Sequence, residues 1–236
     1  MRALILNSGM GNRMGDLTND HPKCMTIIGH NETILSRQLK QILECGITEV
    51  VITTGYFKEI LVEYCNELSL PLKYIFINNP LYKTTNYIYS IYLARDQLYH
   101  DIILLHGDLV FETEVLGEML KSGNSCMAIS SLVPLPSKDF KAVVKDNRID
   151  KIGIEYFEHA VTAQPLYTIL YNDWQIWLNS IIDFCERGQT SSYAENAFNE
   201  VADKCCIRAF DYKERLCKEI DTPEDLEIIK AKLLGV

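Results

Sequence analysis

The run Leu6-Asn7-Ser8-Gly9-Met10-Gly11-Asn12-Arg13 carries two glycines and a cation, and Pro22-Lys23 brings a second cation within eighteen residues of its start. Glycine carries no Cβ, so the backbone amides of a Gly-x-Gly turn can come close to an anion. Arginine offers a forked set of donors that matches phosphate oxygens, and lysine a compact charge on a flexible stem. Together these groups meet the requirements of a nucleoside triphosphate. A further chemical group lies far along the chain, where Asp108 follows Gly107 after the apolar run at 101–105. A carboxylate in that place faces a ligand and can hold a hard divalent cation. The plainer reading is a turn or helix-cap aspartate.

Such groups need strand ends and turns to position them. Residues 2–6 (RALIL) read as a short buried central strand. Further strands are predicted at 49–53 (EVVIT), 73–78 (KYIFIN) and 101–105 (DIILL), and residues 16–22 are polar and turn-rich and read as a loop. A helix is predicted at 33–45, where Ile34, Leu35, Leu39, Ile42 and Leu43 keep a helical period and Gly46 ends it. A second amphipathic helix is predicted at 57–68. This alternation implies an α/β fold with a largely parallel sheet covered on both faces. Ligands of such sheets collect beyond the carboxyl ends of the strands. Gly9, Gly55 (in the turn Thr54-Gly55-Tyr56), Asn79 and Asp108 all lie just past predicted strand ends, so one crevice can gather the four loops.

Thr85-Asn86 can cap a helix whose Ile88, Tyr89, Tyr92 and Leu93 read as core, while Asn79, Asn86 and Ser90 are polar and near the crevice. Downstream, a helix is predicted at 113–121, a strand at 126–132 and a proline-bearing connection at 133–141. A β-hairpin at 142–145 and 148–152 turns on Asp146-Asn147, and a strand at 166–170 follows. The helix predicted at 172–185 carries Trp174 and Trp177; their spacing favours core packing over an aromatic cage for a quaternary ammonium. Residues 191–203 read as a capped helix and 206–211 as a strand. Thr222, Pro223 and Asp225 mark the start of the last helix.

The 236 residues read as one domain, with 47% apolar and 23% charged residues, as in an ordinary globular protein. Lysine and arginine number 23 against 32 acidic residues, a formal charge of -9, which argues against nucleic acid or an anionic membrane as partner. Phosphate must then be held by local cations, helped by a metal. The 8 cysteines are scattered, and the first apolar run is only five residues long, so a cytoplasmic protein with reduced thiols is expected. A zinc site at Cys205, Cys206 and Cys217 is the alternative, although that spacing fits no usual pattern.

The turn Gly9-x-Gly11-x-Arg13 after a strand, with Pro22-Lys23 about ten residues on, resembles the signature of the sugar-nucleotide and cytidylyl transferase superfamily. The dinucleotide fingerprint is not met, because its third glycine would fall at Met14, and no Gly-Lys-Ser/Thr of a P-loop follows. The usual Leu-Ala-Ala-Gly opening is here Leu6-Asn7-Ser8-Gly9. Asn79, Tyr82, Asn86, Ile88, Tyr89 and Ser90 resemble a block of the bacterial cytidylyltransferases that load CTP with phosphocholine or similar phospho- or phosphonoamines. The resemblance runs from residue 2 to about 230 and is strongest before 112.

The resemblance implies a Rossmann-like, three-layer mixed sheet of the nucleotidyltransferase (GT-A-like) type. It implies CMP transfer from CTP, release of pyrophosphate, a Mg²⁺ ion, and a place in cell-surface polysaccharide or phosphonate biosynthesis. Lys23 and Arg13 would be catalytic. Leu6 to Asn12, Thr54, Gly55, Tyr56, Asn79, Thr85, Asn86, Ser90 and Gly107 would surround the nucleotide. Asp108 and Asp221 would hold the Mg²⁺, with Glu219 beside them. Tyr193 and Glu195 would contact the acceptor, with Glu200 behind them. A homodimer is left open. Two other readings stand beside this one: a sugar-1-phosphate nucleotidyltransferase, and a nucleotide-binding regulator without catalysis.

Overall fold

A computed structural model describes residues 1–235. The first apolar run is strand β1 (Arg2–Leu6), and its side chains alternate between two separate cores, Leu4 and Leu6 entering one, Ala3 and Ile5 the other. A strand buried on both faces belongs in the middle of a sheet with helices above and below. β2 (Ile27–Gly29) and β3 (Glu32–Thr33) form a small ribbon leading into α1 (Ile34–Glu44), whose cap Thr33 and Ser36 bond reciprocally. β4 (Glu49–Thr54), α2 (Lys58–Glu67), β5 (Lys73–Asn78) and α3 (Tyr87–Ala94) follow. Next come β6 (Ile102–His106), β7 (Leu109–Phe111), α4 (Thr113–Lys121) and β8 (Cys126–Ser130). The remainder is β9 (Lys141–Lys145), β10 (Arg148–Gly153), β11 (Ala160–Ile169), α5 (Tyr171–Glu186), α6 (Ala194–Asn199), β12 (Arg208–Asp211), β13 (Cys217–Glu219) and α7 (Pro223–Leu234).

The main sheet runs β5-β4-β1-β6-β11-β8-β12-β10-β9. β5, β4, β1 and β6 are parallel, and β11 is antiparallel to β6. The start of β11 also pairs with β9, so the far end of the sheet curls closed on itself. This second pairing is why β11 begins at Ala160, earlier than the expected 166. Register matters most for function. Leu6 lies opposite both Thr53 and His106, and Thr54 lies opposite Asn78. Four parallel strands therefore end flush, and the loops that leave them share one edge.

One core holds α3, α5 and α6 through residues such as Ile88, Leu178 and Ala197; the other holds α1 and α4 through Leu39, Val115 and Met119. Trp174 and Trp177 are wholly buried in the first core, and their indole N–H groups donate to the carbonyls of Leu98 and Ala194. They pack the interior and form no cage. Cys205 and Cys217 belong to opposite cores, and Cys206 is exposed, so the zinc alternative fails.

Local departures from expectation have local causes. The stretch expected to be an irregular loop winds into 3₁₀ turns at Asn12–Thr18 and Lys23–Met25. α6 stops at Asn199, short of the expected 203, because the Asn199 amide turns back and bonds both the N–H and the C=O of Ile152 on β10. Among the described residues, no helix is long and apolar enough to cross a membrane.

Candidate active site

The pairing of β13 with β7 brings two distant carboxylates together. Glu219 lies opposite Leu109, and the Ile220 N–H donates to the Asp108 carbonyl at 3.0 Å. Asp221 thereby stands beside Asp108. Thr222 and Asp225 form a capping box at the entrance to α7, and Asp225 also accepts from the Asp221 N–H at 3.2 Å. A helix start built this way fixes the residue just before it.

Between the two carboxylates sits Lys23. Its Nζ lies 2.7 Å from Asp108 Oδ2 and 2.7 Å from Asp221 Oδ1. Arg13 reaches the same Asp221 oxygen at 2.9 Å from a largely exposed position. Two glycines make this arrangement fit. Gly11 has φ of 67°, and a Cβ there would stand 3.1 Å from the Lys23 Cβ, pressing on the lysine stem. At Gly107 a Cβ would fall 1.5 Å from Asn7 Oδ1, so only glycine lets Asn7 cross the strand ends.

Burial works against the charge on Lys23, but Asp108 and Asp221 outweigh it and raise its pKa. Burial would push Asp108 up; the Lys23 ammonium, then His106, hold it below the usual carboxylate range. Asp108 Oδ1 is buried without a hydrogen-bond partner, which marks an oxygen waiting for a ligand. Burial and the neighbouring Asp108 charge drive Glu219 up to about 7, against the pull of His106. His106 Nδ1 lies 2.8 Å from Glu219 Oε1; burial opposes its proton, but Glu219 prevails and lifts the imidazole to about 9.

His106, Asp108 and Glu219 offer ligand atoms within 4.8 Å of one another, the group so placed among the described residues. The orphan Asp108 oxygen beside further carboxylates fits a hard divalent cation. The His106 ring, 2.8 Å from Glu219 Oε1, holds that carboxylate in place beside Asp108.

Two cavities meet at this point. The first, of about 260 Å³, is lined by Asn7, Gly9, Gly11, Asn12, Arg13, Lys23, Gly107 and Asp108. The second, of about 390 Å³, is lined by Tyr82, Thr85, Asn86, Tyr87, His106, Lys138, Asp139, Phe140, Tyr193, Glu219 and Asp221, among others. Leu6, Gly9, Arg13 and Asp108 border both. One wall of the second cavity is aromatic: Tyr87 lies 4.7 Å from His106 and 5.9 Å from Tyr193, and Tyr193 lies 5.3 Å from Phe140. Thr54, Gly55 and Tyr56 line a small recess beside the first cavity.

Several residues expected at the ligand instead brace the wall. Asn79 and Ser90 are buried; the Asn79 amide donates to Thr85 Oγ1 and Ser90 Oγ at 3.0 Å each, and Ser90 bonds Ser8 at 2.7 Å. They hold the Ser8 loop from behind. Met10 lies outside both cavities. Tyr193 does face the second cavity. Glu195 does not: it is buried and accepts from the Tyr87 and Tyr167 hydroxyls. Glu200 is exposed and pairs with Arg187.

His106, Tyr87 and the Lys138-Asp139-Phe140 run were not singled out from sequence, yet all line the second cavity. For the last of these a signal existed, since two charges and an aromatic ring stand in a connection that prolines mark as a loop. The buried Lys141 holds that connection in place, donating to the Pro136 carbonyl at 2.8 Å and the Asp139 carbonyl at 2.9 Å.

Known proteins resemble this chain in sequence and in fold. The chain is 34% identical over 135 residues to CMP-5'-(3-aminopropyl)phosphonate synthase of Streptomyces rubellomurinus, covering 57% of this chain and 21% of that protein. It is 27% identical over 154 residues to CTP:phosphoglutamine cytidylyltransferase of Campylobacter jejuni, covering 62% of this chain and 59% of the relative. The chain thus spans less than two thirds of the length of these curated relatives. The fold matches the structure of CTP:phosphocholine cytidylyltransferase from Streptococcus pneumoniae with a TM-score of 0.77, at 17% identity and 98% coverage of each chain. This is the expected α/β nucleotidyltransferase fold with its mixed sheet. The family model described as nucleotidyl transferase matches residues 2–141, and the chain belongs to that family.

Proposed function

We propose that the protein transfers CMP from CTP to a small aminated phosphate or phosphonate, of the phosphocholine, 2-aminoethylphosphonate or phosphoglutamine type, releasing pyrophosphate. The observation that carries this reading is the convergence of Lys23, Asp108 and Asp221 at the seam between two cavities. One cavity offers glycine amides and cations, as a triphosphate requires. The other joins aromatic rings to the carboxylate of Asp139, which suits a small molecule with a cationic end.

The attacking group is already an anion, so the protein has little proton transfer to perform. Positioning and charge neutralisation carry such a reaction. Lys23 offsets charge on the α-phosphate. Arg13 and the amides around Gly9 and Gly11 hold the departing phosphates. Asp108, Asp221 and Glu219 would hold Mg²⁺, which when bound neutralises phosphate oxygens. The unpaired cysteines fit a reducing compartment, the cytoplasm.

The test is a pyrophosphate-release assay crossing the four nucleoside triphosphates with phosphorylated amines, phosphonoamines and sugar phosphates. Release is expected with CTP and an aminated acceptor. Release with sugar phosphates alone would move the protein to sugar activation, and no release with any pair would remove catalysis.

A further inference from the structure

Of the carboxylate oxygens open to the proposed Mg²⁺, Asp108 Oδ1 has no partner, but Asp108 Oδ2 and Asp221 Oδ1 are already paired with a lysine. Lys23 Nζ contacts Asp108 Oδ2 and Asp221 Oδ1 at 2.7 Å each, and all three side chains are largely buried. Among the described residues no other lysine pairs with either carboxylate, and Arg13 meets Asp221 from an exposed position where an ion pair is weak. Resting on the metal-dependent reading above, we infer that Lys23 is the resting counter-ion of the metal site. Lysine and metal then exclude one another from the carboxylate pair until nucleotide phosphate draws the lysine away.

The physical basis is charge and reach. A compact ammonium and a divalent cation cannot share two carboxylates without strong repulsion in a partly buried site. The lysine stem is flexible, so Nζ can swing to a phosphate without backbone movement. A triphosphate supplies the anionic oxygens that both cations then share. By linkage, what releases Lys23 strengthens the metal, and the metal strengthens the nucleotide by the same factor. The metal is therefore held tightly only together with the nucleotide, and in the empty enzyme the lysine offsets part of the charge of the carboxylate pair.

The experiment measures Mn²⁺ binding directly, by the electron paramagnetic resonance signal of free Mn²⁺, without turnover. Wild type is compared with Lys23→Met, Lys23→Gln and Lys23→Arg, each checked for folding by circular dichroism. Without nucleotide, the Met and Gln variants should bind Mn²⁺ about tenfold or more tightly than wild type, within the usual range of such couplings. The Arg variant should not gain. Adding Asp221→Asn to Lys23→Met should erase the gain. Mn²⁺ affinity equal to wild type, or lower, in both neutral variants overturns the inference. An independent arm uses wild-type protein alone: saturating Mn²⁺ should make Lys23 several-fold more reactive toward acetic anhydride, and unchanged reactivity likewise overturns it. If wild type retains no Mn²⁺ even with CTP, the metal-dependent reading itself fails, and the inference with it.

Discussion

The two cavities are built in opposite ways. The first is lined mainly by one contiguous stretch, from Leu6 to Cys24, closed by Gly107 and Asp108. The second draws its lining from seven separated parts of the chain, between Leu6 and Asp221. A phosphate site needs backbone amides and a few cations, which a single strand-end loop can supply. A site for a small variable molecule needs side chains from several directions, which only tertiary packing can assemble. The first half is then set by local structure, and the second can vary while the sheet stays unchanged.

The seam between them should be the most sensitive place. Asp108→Asn and Lys23→Ala each remove a preorganised charge that borders the first cavity and holds the seam together. Turnover in the pyrophosphate assay should fall by ~10²-fold or more, with the fold intact by circular dichroism. Wild-type turnover in either variant would separate the seam from the chemistry.

The contrast also explains what could be read in advance. The Gly9–Lys23 run was legible because glycine and cation spacing is a local property. The flush strand ends followed from short apolar runs with glycines just beyond them. Asn79 and Ser90 were misplaced for a physical reason. Their polarity suggested a ligand, but β5 and α3 pack so that these groups satisfy each other and Ser8. The ion pair of His106 with Glu219 depends on the pairing of β13 with β7, which no local pattern announces. Lys138 to Phe140 stand in a proline-marked loop, but where that loop runs is set by what clamps it, here the buried Lys141.

That clamp allows the second cavity to be disturbed alone. Lys141 donates to two loop carbonyls and lies 4.3 Å from the Phe157 ring. Hydrogen bonds from a charged group contribute about 1.5–3 kcal/mol each. Lys141→Met should loosen the loop that carries Asp139 and Phe140 and raise the acceptor KM roughly tenfold, with the nucleotide KM within about twofold of wild type. An equal rise in both KM values would show that the two cavities do not act as separate halves.

A smaller effect is expected on the other side. Ser90→Ala removes the hydroxyl that links Asn79 to Ser8. A neutral hydrogen bond is worth about 1 kcal/mol, so the nucleotide KM should rise by roughly fivefold. The acceptor KM should stay within error. A larger change for the acceptor would mean that Ser8, which borders the second cavity, serves that side instead.

The smallest effect concerns the opposite end of the same strands, away from both cavities. Glu49, at the start of β4, accepts from Lys73 on β5 at 2.8 Å and from Arg2 on β1 at 2.5 Å, tying three strands together. The hydrogen bond from Lys73, followed by that from Arg2, lowers the Glu49 pKa to about 2 from the ordinary 4.5. Because the folded value lies below the unfolded one, the folded state gains stability above the unfolded pKa. That gain is lost as pH falls from the ordinary value toward the folded one. Glu49→Gln should therefore lower Tm slightly at pH 7, and the gap between variant and wild type should close between about pH 4.5 and 2. Both KM values should be unchanged near neutrality, since the tie lies at the base of the sheet and the flush strand ends are braced by their own hydrogen bonds. A Tm gap that persists unchanged into acid would mean that the carboxylate charge contributes nothing to the tie.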